Sequence, residues 1–119
     1  MQDHSLYLKL INNFFDIEKK VLQKTEMQPL MRNIDRMKAT FEEMGYIIRN
    51  PKGEGYSETR TDCEASIVGE STESLVITDV IKPIVYWRIG EILGIVQQGI
   101  VLVEAAEASK KEKKGWFGK

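Results

Sequence analysis

Apolar residues recur every three or four positions as far as Phe41 and then come in β-branched runs and alternations. A helical period gives way to a strand period. The change falls at Met44-Gly45-Tyr46, with Gly45 placed as the left-handed residue that ends a helix. Residues Asp3 to Lys24 predict a first helix, capped by Ser5 or Asp3. Tyr7, Leu10, Phe14, Ile17 and Val21 stand at spacings of three, four, three and four, a heptad seam. Leu8, Ile11, Phe15 and Leu22 form a second seam beside it, interrupted by Glu18. Thr25 to Pro29 is a break. Thr25 and Gln28 have the spacing of a capping box, and Pro29 suits a first helical turn. A second helix runs on to about Met44, with Leu30, Ile34, Met37, Phe41 and Met44 as its seam. Two helices cannot bury three seams between them. The surplus goes either to the β part of the same chain or to a second copy. A two-fold dimer forming a four-helix bundle disposes of it directly and is the preferred expectation. Its interface is then Tyr7, Leu10, Phe14, Ile17, Val21, Leu30, Ile34, Met37 and Phe41.

From Tyr46 the pattern is that of strands. Tyr46 to Arg49 is the first, stopped by Asn50-Pro51. Lys52-Gly53-Glu54-Gly55 predicts a turn; the Gly-Lys-Ser/Thr and the helix start of a phosphate loop do not follow it. Tyr56 to Thr61 is polar and loop-like. Cys63 to Val68 alternates Cys63, Ala65 and Ile67 against Glu64 and Ser66, and Gly69 to Glu73 is a turn. Leu75 to Val85 is the longest β-branched stretch, and Pro83 inside it implies an edge position, a bulge or a strand break. Trp87 to Glu91 resembles a hairpin tip. Ile92 to Val96 and Gly99 to Val103 close the set, with Gln97-Gln98-Gly99 as a kink or bulge between them. Short strands at close spacing predict a small antiparallel sheet or partly closed barrel. The expected class is α+β: a helical dimerisation part over 1–45, a small β domain over 46–104 and a cationic flexible tail over 105–119. The tail carries Trp116 and Phe117, which can dock on a partner, touch a membrane surface or fold onto the protein. A solvated tail is the preferred expectation.

Composition narrows the partners. A net charge of −1 argues against nucleic acid. One cysteine, Cys63, excludes an internal disulfide and fits a reducing compartment. The start, MQDHSLYLKL, lacks the basic n-region of a signal peptide, and no apolar run approaches the roughly 18 residues of a membrane span. A cytoplasmic, soluble protein is expected.

Catalytic chemistry has little to work with. His4 is the only histidine and cannot alone build a metal site or a nucleophile–base pair. Cys63 sits in a strand pattern and is expected as a small core thiol. The carboxylates are scattered among lysines and arginines, with no set spaced for metal or glycoside chemistry. A binding protein without metal or cofactor is expected, not an enzyme.

The order of parts resembles the GrpE family, nucleotide exchange factors of DnaK-type chaperones. Phe41-Glu42-Glu43-Met44-Gly45-Tyr46-Ile47-Ile48 is similar to that family's helix end, glycine and first strand. Gly53-Glu54-Gly55-Tyr56 and Cys63-Glu64-Ala65 stand where the family has Gly-Glu-x-Phe-Asp-Pro and His-Glu-Ala. Ile77-x-Asp79-Val80-Ile81-Lys82 and Ile100-Val101-Leu102-Val103 resemble its Val-x-x-Val-Leu-Gln strand and its closing Met-Val-x-Val. The likeness spans residues 6–104. Cys63 replaces a histidine, Lys82-Pro83-Ile84-Val85-Tyr86 replaces a Gln-Lys-Gly-Tyr turn, and Gln97-Gln98-Gly99 replaces Arg-Pro-Ala. The long N-terminal coiled-coil stalk is missing, so the resemblance is to a divergent member. It implies a homodimer whose β parts bind the nucleotide-binding domain of a DnaK-type chaperone through Tyr56, Glu58, Ile81 and Val103 and promote ADP release. A dimeric adaptor that keeps the fold without exchange activity is the alternative.

Overall fold

The computed structural model describes residues 3–106. Helix α1 runs Ser5–Leu22 and helix α2 runs Met31–Glu43. The Asp3 carboxylate accepts the Ser5 N–H at 3.0 Å, while His4 occupies the N-cap position without a side-chain cap bond. Between the helices, Thr25–Leu30 forms a 3-10 turn, so the second helix starts five residues later than the capping-box spacing predicts. The box does not form. The Gln28 amide instead donates to the carbonyls of Val21 and Lys24, at 3.3 Å each. Both carbonyls also accept backbone N–H groups, Val21 from Lys24 at 3.2 Å and Lys24 from Met27 at 3.1 Å, so the amide adds a second bond to each. At the end of α2, Gly45 has φ +103° and donates its N–H to the Glu42 carbonyl at 3.0 Å, the expected left-handed stop.

Seven strands follow: β1 Tyr46–Arg49, β2 Gly55–Tyr56, β3 Cys63–Ile67, β4 Leu75–Lys82, β5 Ile84–Ile89, β6 Ile92–Gln97 and β7 Gly99–Ala105. They make two sheets, one ordered β1-β5-β6 and one ordered β2-β4-β7-β3. The centrepiece is a long ribbon from Leu75 to Ala105. Its two arms pair β4 with β7 and β5 with β6, and both arms change sheet at the same level, at buried Pro83 and at Gln98. Proline has no N–H to give to a ladder, and here it breaks the strand. β1 is added to one half of the ribbon; β2 and β3 are added to the edges of the other. All pairings are antiparallel except β3 with β7, which is parallel from Cys63↔Gly99 to Ile67↔Val103. The β part is antiparallel-rich, as expected, with this one parallel pair added. The chain crosses from β2 at one edge to β3 at the other, and so enters running alongside β7.

The core crosses the helix–strand boundary near residue 45. One cluster joins Ile11, Phe14, Ile34 and Phe41 of the helices to Tyr46, Ile48 and Val85. The other joins Phe15 of α1 to Cys63, Ile77, Val80, Ile84, Val101 and Val103. Neighbours in sequence, Phe14 and Phe15, thus serve different sheets, and α1 is the beam across both. At the ribbon's break, Asn12 and Gln97 exchange two amide hydrogen bonds at 2.9 Å, and Gln97 also donates to the Pro83 carbonyl at 2.9 Å. Lys19 Nζ donates to the Val80 carbonyl at 2.7 Å. Ile11 and Phe15 of the second seam of α1 are therefore spent within their own chain, with Leu8 partly buried beside them, while Leu22 stays exposed. β7 runs to Ala105, which pairs with Leu75. The rest of the predicted tail, 107–119, lies outside the described residues.

Candidate protein-binding surface

Two surfaces stand out, one on the helices and one on the second sheet. Of the nine residues predicted for a helical interface, Phe14, Val21, Ile34 and Phe41 are buried within the single chain. Their assignment to a contact between chains is corrected: α1 lies across both sheets and α2, and that packing turns them inward. The other five, Tyr7, Leu10, Ile17, Leu30 and Met37, are exposed, as is Met44. Leu10, Met37, Thr40, Phe41 and Met44 line an apolar groove of about 250 Å³. Exposed apolar ground on two adjacent helices marks a contact surface more readily than scattered single residues do.

The second surface begins at the turn after β1. Asn50 Oδ1 accepts the Lys52 N–H at 3.1 Å, and Gly53 turns at φ +91°. The turn is stitched to β4 by Gly53 N–H to the Ile77 carbonyl and Ile77 N–H to the Glu54 carbonyl, both 2.8 Å. This is the structural turn expected of Lys52-Gly53-Glu54-Gly55. Four charges then fix the 57–62 loop. Arg49 grips both oxygens of Glu54 at 2.8 and 2.9 Å. Arg60 reaches Glu54 at 2.7 Å, the Gly55 carbonyl at 2.9 Å and the carboxylate of Asp62. The Arg60 guanidinium holds the Asp62 carboxyl below the usual carboxylate range, and Asp62 in turn raises Arg60. Bidentate arginine–carboxylate pairs carry geometry as well as charge. This network was not foreseen; its members look in the sequence like solvated loop residues.

The anchored loop forms one wall of a cleft of about 480 Å³. Tyr56, Ser57 and Glu58 stand on that wall, Ala65, Ile67 and Leu75 supply apolar surface, and Thr72 and Ser74 close the other side. Tyr56 is half-buried and packs against the second core, while Glu58 is exposed. The structure thus brings two of the four predicted contact residues into one site. Ile81 is 47% exposed but does not line the cleft. Val103 is fully buried. It pairs with Ile77 and Ile67 inside the sheet and has no surface to offer, so its place as a contact residue is corrected. Ala65, Ile67 and Leu75 went unnoticed because a strand residue facing the core has the same alternation whether or not anything covers it.

The chemistry-bearing residues have structural surroundings. Cys63 is buried beside Gly99, and burial pushes its thiol up, away from the thiolate a nucleophile requires. His4 Nδ1 lies 2.8 Å from the Tyr46 hydroxyl, and its ring packs 4.9 Å from that of Trp87. Burial raises the Tyr46 hydroxyl. Among the described residues no group of three or more His, Cys, Asp or Glu side chains is placed to hold a metal ion, and no helix is long and apolar enough to cross a membrane. No protein-family model, no curated protein and no solved structure matches this chain.

Proposed function

We propose that this protein is a GrpE-like co-chaperone that acts as a homodimer on a DnaK-type chaperone in the cytoplasm. The observation that carries the reading is a division of labour along the chain. Exposed apolar residues of α1 and α2, centred on Leu10, Met37 and Met44, suit a four-helix bundle with a second copy. Directly after Gly45 comes a β part with an open, half-apolar cleft holding Tyr56 and Glu58, two positions that the GrpE resemblance assigns to the chaperone contact. In this reading the β part binds the open state of the nucleotide-binding domain better than the closed one. ADP binds that open state less well and leaves. The driving free energy is the difference in affinity for the two conformations.

A dimeric adaptor without exchange activity is the second reading. It is favoured by Cys63, which stands where the family has a histidine and is buried away from any partner. Stopped-flow release of labelled ADP from the chaperone separates the two. Faster release with the wild-type chain, and a roughly five- to hundredfold loss of affinity in Tyr56→Ala at unchanged dimer mass, is the expected result. Chaperone binding without faster release leaves the adaptor. No binding at all sinks the exchange-factor reading and leaves the adaptor, which would then bind another protein.

A further inference from the structure

The cleft at Tyr56 is shaped before anything enters it. Its lining comes from strands and their loops, and one side is the 57–62 loop that Arg60 ties to Glu54, to the Gly55 carbonyl and to Asp62. On the other side Ser74 is held at φ 51°, the one positive φ outside glycine among the described residues, and its carbonyl accepts the Ala106 N–H at 2.8 Å. Left-handed backbone is unfavourable for serine and persists only where its surroundings impose it. The floor is apolar and open: Ile67 is 45% exposed, and Ala65 and Leu75 are half-buried. A site with fixed walls loses little order when it is filled.

The rim has one sign of charge. From Gly53 to Leu75 the chain carries six carboxylates and a single cation, Arg60. Arg49 and Arg60 take up Glu54 and Asp62. Glu64 alternates with Ala65 and so lies on the far face of β3. Glu58, Glu70 and Glu73 remain, all exposed and, among the described residues, in no ion pair. Glu58 lines the cleft, and Glu73 stands between Thr72 and Ser74, which line it too. An anionic partner meets repulsion here, and a neutral segment gains nothing from the rim. What matches both floor and rim is an apolar side chain with cations beside it.

We propose that the cleft takes a basic, apolar segment of a partner protein: one or two large apolar side chains on Ala65, Ile67 and Leu75, with lysine or arginine flanking them beside Glu58 and Glu73. This rests on the reading of the cleft as the contact site of a co-chaperone and adds the chemistry of what enters it. Opposite charge speeds the encounter and fixes the orientation, while the apolar floor supplies affinity.

The test uses the full chain, methyl-labelled, and a blocked peptide of sequence Gly-Lys-Leu-Phe-Lys-Gly. The methyl signals of Ala65, Ile67 and Leu75 should shift saturably as the peptide is added up to millimolar concentration, while Ile89 and Ile92 at the hairpin tip stay in place. Glu58→Lys/Glu73→Lys should weaken binding roughly tenfold, and raising the salt concentration should weaken wild-type binding about three- to tenfold. Should that variant fail to fold, the isosteric Glu58→Gln/Glu73→Gln pair answers the same question with a loss of about threefold or more. Absence of cleft shifts overturns the proposal. So does equal binding of the acidic counterpart Gly-Glu-Leu-Phe-Glu-Gly, or of Gly-Lys-Ser-Ser-Lys-Gly, which would reduce the site to charge alone. No chaperone is present, so the two readings fail separately. Peptide binding by a chain that never binds the chaperone sinks the co-chaperone reading alone; faster ADP release by a chain that ignores the peptide sinks this proposal alone.

Discussion

Gly45 does three things at one position. It takes φ +103°, it donates to the end of α2, and it lets Trp87 approach so closely that a Cβ would sit 3.0 Å from the indole ring. Trp87 is itself held in a cluster with His4 and Tyr46, in tilted contacts at 4.9 and 4.6 Å between ring centroids. Gly45→Ala is expected to cost about 1–3 kcal/mol, seen as a lower urea midpoint at unchanged slope. Asp62 gives a pH-dependent counterpart. Arg60 lowers its folded-state pKa, so the stabilisation is complete above the unfolded carboxylate value of about 3.9 and is lost as pH falls from there through the folded value. The pair is well sheltered, with side chains 16% and 17% exposed. Asp62→Asn should therefore be less stable than wild type by about 1–3 kcal/mol at pH 6, and the gap should be smaller at pH 2. Urea titrations of both chains at the two pH values measure it.

At the scale of elements, the joint between ribbon and helix is the point to probe. Asn12 and Gln97 bind each other twice where both arms change sheet. Asn12→Ala should destabilise by about 1–2 kcal/mol, and a cycle with Gln97→Ala should show coupling of roughly 0.5–3 kcal/mol. Near-zero coupling would mean that the pair merely decorates the joint. Legibility follows from the same geometry. The helices, Gly45, the break at Pro83 and the tip near Gly90 were readable because each has a local cause. β7 kept a clean alternation, with Val101, Val103 and Ala105 all buried. β4 did not: register shifts leave Thr78 and Ile81 as extra residues, so Ile77 and Val80 point inward, three apart. A bulge swaps faces without a mark in composition. The sharing of Phe14 and Phe15 between two sheets was likewise invisible, since periodicity tells which side of a helix is apolar and not what lies against it. Two of the cleft's eight lining residues, Tyr56 and Glu58, were singled out in the sequence, through the resemblance alone; its floor and its charged anchor depend on contacts far apart in sequence.

For the whole molecule, the exposed half of the helical seams decides the assembly. Sedimentation at micromolar concentration should give about twice the chain mass of 13.7 kDa. Leu10→Glu is a sharper variant than one at Phe14. Leu10 is 53% exposed within the chain, so a carboxylate there spares the protomer core and should halve the mass with little change in circular dichroism. Phe14 is buried, and changing it would confound dissociation with unfolding. A wild-type monomer across that range would remove the bundle and return the helical groove to some other partner.

The bent ribbon also sets the order in which the chain can assemble. Its two arms meet at Gly90-Glu91, so β5 and β6 close a very short loop, the least costly in chain entropy. Pairing can then pass through Pro83 and Gln98 into β4 and β7 without any new loop being closed. β3 has no such start: its parallel partner is β7, the last strand of the ribbon, and until β3 docks there the edge of β7 stands unpaired. Non-local pairings of this kind are slow. The same edge strand that completes the cleft is thus the last to be added, and a nascent chain carries an open sheet edge for as long as that step takes.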